Sequence, residues 1–166
     1  MTSRTTAILV AVAVVSGATV AGVGLATRSS GKPVRVLQID EQRGRVGQAV
    51  LGETRANVLA VLGPPVADES RGVGHETLRY PRLTVTLVAD LVASIRTDDP
   101  AAVTLQAVRI GDPLSAARAL YHKAATCNPN SPDKNAAHPY CRVAVAAGQM
   151  LVAGDPIRSI TLVRTK

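Results

Sequence analysis

The chain has 166 residues, a formal net charge of +7 and very few aromatic side chains: three Tyr, no Phe and no Trp. That length suits one ordinary domain or two small units sharing a core, and the core has to be built from Val, Leu, Ile and Ala. The positive charge is spread along the chain without interleaved aromatics, which argues against a nucleic-acid stripe; a generically solvated basic surface, or a weak salt-screened attraction to anionic membrane or cell-wall polymer, fits it better.

Residues 5–27 carry no charge. The run is long enough to span a bilayer as a helix, and its apolar front with small residues behind it also fits a signal peptide cleaved after Ala21 or Ala26. Cleaved signal and uncleaved anchor fit equally, with a buried core helix as the bland alternative. No cysteine lies there, so lipidation at an N-terminal Cys is excluded. Arg28, Lys32 and Arg35 behind the segment outnumber the basic groups before it, which by the positive-inside tendency would hold the remainder in the cytoplasm. The two cysteines favour an oxidising compartment instead, and an extracytoplasmic location is expected.

Residues 28–45 read as a linker: Ser29 to Pro33 is flexible, Val34 to Ile39 a strand or tether, and Arg43-Gly44-Arg45 a turn. A first helix-plus-strand unit spans 46–100. Thr54 is placed to cap a helix by accepting from the N–H of Asn57 or its neighbour, Val58, Val61 and Leu62 recur at helical spacing, and Gly63-Pro64 stops it. So short a helix must dock on something apolar. Glu76 to Tyr80 follows as a strand, then the alternating Leu83-Thr84-Val85-Thr86-Leu87, a turn at Ala89-Asp90 and a strand from Leu91 to Thr97.

A second unit spans 101–166. Val103 to Ile110 is strand-like. Asp112 reads as an N-cap with Pro113 in the first helical position, and Leu114, Ala117, Leu120 and Tyr121 make the stripe of a helix reaching about Thr126. Strands are expected at Arg142 to Ala146, Gln149 to Val152 and Ile157 to Val163. Gly52, Val58 and Val61 match Gly111, Ala117 and Leu120 at constant offset, and Val92-Ala93-Ser94-Ile95 is echoed by Ile157-Arg158-Ser159-Ile160. The expected fold class is therefore α+β: an N-terminal hydrophobic helix (1–27), then two tandem α-β repeats forming an antiparallel sheet with helices packed on one face.

Leu51-Gly52 with Gly63-Pro64, and Ile110-Gly111-Asp112, give the chain from about residue 46 to 164 a resemblance to the β-lactamase-inhibitor-protein fold, one unit of which is also used by small envelope-assembly lipoproteins. The resemblance implies a non-enzymatic extracytoplasmic protein that binds another protein on an open sheet face. The inhibitors rely on an aromatic-rich concave face, and the assembly proteins on a lipidated N-terminal Cys; this chain has neither.

Cys127 and Cys141 are the two cysteines, and their number, proximity and the export segment favour a disulfide. The competing reading is a zinc site made by His122, Cys127, His138 and Cys141, but its spacing matches no standard pattern, so no metal or cofactor is expected. His75-Glu76 lacks a nucleophile, and His75 reads as a solvated loop side chain; Asp98-Asp99 before Pro100 reads as a turn. No catalytic residues are expected, and the metal-assisted enzyme stands last among the readings. The candidate binding surface is a face of Thr84, Thr86, Ser94, Arg96, Arg142, Ser159 and Thr161, suited to an acidic protein or phosphate partner. The leading expectation is an envelope protein-binding module, exported or membrane-anchored; the alternative is a secreted inhibitor of a hydrolase.

Overall fold

The computed structural model describes residues 36–70, 72, 74–128 and 139–165. The hydrophobic segment 5–27 and His138 lie outside the described residues. Among the described residues no helix is long and apolar enough to cross a membrane.

The α+β expectation does not hold. The described chain is mostly β: twelve strands in two sheets, with two helices of eight residues each. A small sheet has the order β3-β2-β1-β8, formed by β1 (Leu37–Asp40), β2 (Arg45–Val46), β3 (Ala49–Val50) and β8 (Ala102–Thr104). A large antiparallel sheet has the order β4-β5-β6-β7-β12-β11-β10-β9. Its strands are β4 (Ala67–Ser70), β5 (His75–Tyr80), β6 (Leu83–Val88), β7 (Leu91–Thr97), β9 (Ala125–Asn128), β10 (Tyr140–Val145), β11 (Gly148–Ala153) and β12 (Ser159–Val163). Two up-and-down meanders thus meet where β7 pairs with β12.

Alternation along these strands builds the core. Leu78, Val85, Ile95, Leu162, Met150, Val143 and Ala125 stand opposite one another across seven strands. The next inward row runs Tyr80, Leu83, Thr97, Ile160, Val152, Cys141 and Cys127. Most of these side chains are fully buried. Burying each large aliphatic contributes about 1.5–3 kcal/mol, so the large sheet carries most of the apolar stabilisation.

Helices are not alone in covering this face. Strands β2 and β3 of the small sheet lie on β7, supplying the buried Val46 and Ala49, while α1 (Arg55–Leu62) packs beside β3 and α2 (Leu114–Tyr121) lies on β9, β10 and β11. Val58 is the one residue of α1 that is fully buried, and α2 buries Leu114 and Ala117. The small sheet is a long-range construction: β1 pairs in parallel with β8, Leu37 opposite Ala102 and Ile39 opposite Thr104. Local periodicity carries no trace of such a pairing.

The helix details separate what local chemistry dictates from what packing decides. Thr54 caps α1, accepting from Asn57 N–H at 3.4 Å, and Gly63 ends it with φ of 78°. The stripe turned to the core is Val58, Leu59 and Leu62, whereas Val61 is 49% exposed. Helix α2 starts after Pro113 without a side-chain cap; the Asp112 carboxylate accepts instead from Arg109 N–H at 2.8 Å. It ends at Tyr121, not near Thr126, and Leu120 is 43% exposed. A 3-10 turn (His122–Ala124) follows, and the chain then enters β9. Pairing with β10 overrides the helical propensity of this Ala-rich stretch, because Cys127 sits directly opposite Cys141 and is bonded to it.

Candidate functional site

One face of the large sheet packs on the small sheet and helices. Among the described residues nothing lies over the other. Its central row, from β5 to β9, reads Arg79, Thr84, Arg96, Thr161, Leu151, Arg142 and Thr126. A second row reads Thr77, Thr86, Ser94, Val163, Gln149 and Ala144. The structure therefore brings Thr84, Arg96, Thr161 and Arg142 into one line, with Thr86 and Ser94 beside it. Arg96 and Arg142 are exposed and the other four half-buried; Ser159 shares the parity of Thr161 but is 5% exposed and offers little surface. The aromatic residue of this face is Tyr140, opposite Ala153.

Charge on the face is one-sided. Its acidic side chain is Glu69, which accepts from Arg79 through Nε at 2.8 Å and Nη2 at 3.2 Å. Arg96 and Arg142 make no ion pair with a described residue. At the β5–β6–β7 end the face sinks into a depression of about 390 Å³ whose rim includes Arg79, Arg82, Thr84, Arg96 and Asp98. Arg82 sits in the two-residue turn between β5 and β6 with φ of 61°, and its Nη1 donates to the Asp98 carbonyl at 3.4 Å. Sequence reasoning overlooked Arg79 and Arg82. The signal was present: a two-residue Pro81-Arg82 turn pairs Tyr80 with Leu83 and so sets Arg79 opposite Thr84.

The packed face holds polar ties, each already satisfied. Arg55 at the start of α1 donates to Glu76 Oε1 at 2.6 Å and to Asp68 Oδ2 at 2.7 Å. The hydrogen bond that Arg55 donates to Glu76, then the one it donates to Asp68, raises the guanidinium pKa further above its already high value. Tyr80 Oη donates to the Gly63 carbonyl at 3.1 Å, pinning the end of α1, and burial raises its pKa. Glu41, 4% exposed, accepts from Tyr121 Oη at 2.8 Å and from Leu105 N–H at 3.1 Å. Burial raises the Tyr121 hydroxyl well above its ordinary range. These groups brace one layer against another and leave no base beside a free nucleophile.

His75 is exposed at the start of β5 while its neighbour Glu76 is occupied by Arg55. Of the four residues weighed as zinc ligands, Cys127 and Cys141 are bonded to each other. Among the described residues no group of three or more His, Cys, Asp or Glu is gathered in metal-binding geometry. A narrower groove of about 290 Å³ between β3 and α1 is lined by Val50, Ala60, Val61 and Glu53, the last already bonded to Asn57.

No family model and no curated protein sequence matches the chain. Its fold is similar to part of a solved structure, an extracellular protein containing an SCP domain from Bacillus anthracis str. Ames. The identity is 14% and the TM-score 0.50, over 69% of this chain and 44% of that one. The likeness concerns the fold and spans less than half of that protein's length.

Proposed function

We propose that this protein is a non-enzymatic binding module of the cell envelope, and that it holds another protein on the open face of its large sheet. The observation that carries this reading is the face itself: eight strands wide, uncovered among the described residues, and lined by Arg, Thr and scattered apolar side chains. Rows of backbone-fixed side chains suit recognition of a macromolecular surface, where a small-molecule site would be concave and enclosed. The disulfide between β9 and β10 supports an extracytoplasmic setting, as does the likeness in fold to an extracellular protein. Association with the membrane through residues 5–27 belongs to the same reading.

The β-lactamase-inhibitor-like reading of the fold is supported by the large antiparallel sheet made of two meanders with one bare face. The hydrolase-inhibitor activity gains nothing from the face, whose aromatic content is Tyr140. The test is capture of partners from the envelope fraction by the full chain, compared with a variant in which Thr86→Trp and Thr161→Trp fill the centre of the face. A partner lost by the variant and retained by Gln48→Trp, placed on the opposite layer, supports the reading. A partner retained by both discards the face as the binding surface.

A further inference from the structure

We infer that the depression at the β5–β6–β7 end of the open face is a seat for an acidic peptide segment, with Arg82 and Arg96 receiving its carboxylates and Arg79, already paired with Glu69, bordering it. The inference deepens the reading of the face as a protein-binding surface and rests on it. Arg79 and Arg96 flank Thr84 in one cross-strand row. Their backbones are two strand steps apart, about 10 Å, so the long Arg96 side chain can reach over Thr84 toward Arg79, which Glu69 holds. Arg82 enters from the turn below, its positive φ fixed by the tight hairpin. Three guanidinium groups thus border one concavity of about 390 Å³, against Glu69 and Asp98 as the nearby acids.

Their pairing leaves capacity for a ligand. Glu69 occupies Nε and Nη2 of Arg79. Arg82 spends one nitrogen on a backbone carbonyl at 3.4 Å, and Arg96 has no carboxylate among the described residues. The guanidinium fork fits a carboxylate with two parallel hydrogen bonds, and Thr84 supplies a hydroxyl between the forks.

One feature favours a protein segment over a polyanionic polymer. Beyond Arg96 the row continues through Thr161 and Leu151 before the next cation, Arg142. A mixed polar and apolar track of this kind suits the flank of a peptide, whereas a uniform polyanion is matched by an unbroken array of cations.

The experiment measures binding of a fluorescent poly-glutamate peptide to the full chain at low salt, with poly-glutamine and inorganic polyphosphate as comparisons. Arg96→Gln and Arg82→Gln should each weaken poly-glutamate binding by about tenfold. Arg96→Lys, which keeps the charge and loses the fork, should fall between wild type and Arg96→Gln. Arg45→Gln and Arg118→Gln remove the same charge elsewhere and should change the affinity by less than about twofold. Equal weakening by all the Arg→Gln variants would reduce the effect to general attraction and overturn the inference. So would polyphosphate binding that depends on Arg96 while poly-glutamate binding does not. The face reading is judged separately: partner capture that survives Arg96→Gln and Arg82→Gln but is abolished by Thr86→Trp with Thr161→Trp removes the acidic-peptide seat and leaves the binding face standing.

Discussion

Tyr121 and Glu41 show how much one partly buried pair can be asked to do. Glu41 follows β1 and Tyr121 ends α2, so their 2.8 Å hydrogen bond ties the small sheet to a helix 80 residues away. Removing the hydroxyl leaves a carboxylate oxygen buried without that donor; Tyr121→Phe should lower stability by about 2 kcal/mol in chemical denaturation. The same pair makes the fold sensitive to alkali. Burial raises the pKa of Tyr121, and to a lesser degree of Tyr80, above the ordinary value of 10.0. Below pH 10 both states keep the proton and the contribution is fully present; above it the unfolded chain ionises first, so stability falls as pH rises. Denaturation midpoints should therefore drop above pH 10, and the slope should flatten in Tyr121→Phe. At the start of α1, Thr54→Ala should cost about 1 kcal/mol, because the Asn57 N–H loses its acceptor.

At the scale of elements, strands were legible and helix ends only partly. Leu83, Val85 and Leu87 turn inward as their alternation requires, and the stops of β6 at Ala89-Asp90 and of β7 before Asp99 follow from local chemistry. In each helix the periodicity assigns one apolar residue to the buried stripe that the structure leaves exposed, Val61 in α1 and Leu120 in α2. The end of α2 was illegible, since it is decided by the pairing of β9 with β10 and not by the local helical pattern. That pairing is clamped by Cys127–Cys141, which closes a loop of 14 residues. Replacing both cysteines by Ser should lower stability by about 3 kcal/mol, with the loss read from urea midpoints. The β6–β7 hairpin offers the opposite change. Ala89 and Asp90 both have positive φ, 50° and 67°, a conformation that Asn-Gly adopts with less strain. Ala89→Asn with Asp90→Gly should raise stability by about 1 kcal/mol. Gly148 at the head of β11 admits no such exchange, because a Cβ there would lie 2.3 Å from the Val163 carbonyl oxygen; Gly148→Ala should be among the most damaging single changes in the chain.

The described residues form a large sheet with one face packed on a second sheet and two short helices, and among them nothing lies over the other face. The small sheet could not be read from the sequence: β1 lies in what looked like a linker, and its partner β8 is more than sixty residues away. The open face was partly legible. Parity along each strand placed Thr84, Thr86, Arg96 and Thr161 together, but alternation alone left Ser159 looking exposed and passed over Arg79 and Arg82. The most direct measurement places a photo-reactive amino acid at position 161 or 86 on the open face, or at position 60 or 119 on the helices, and identifies cross-linked proteins in the native envelope. A specific adduct from 161 and 86, absent from 60 and 119, is expected. Adducts confined to 60 or 119 would contradict the open face as the surface that binds.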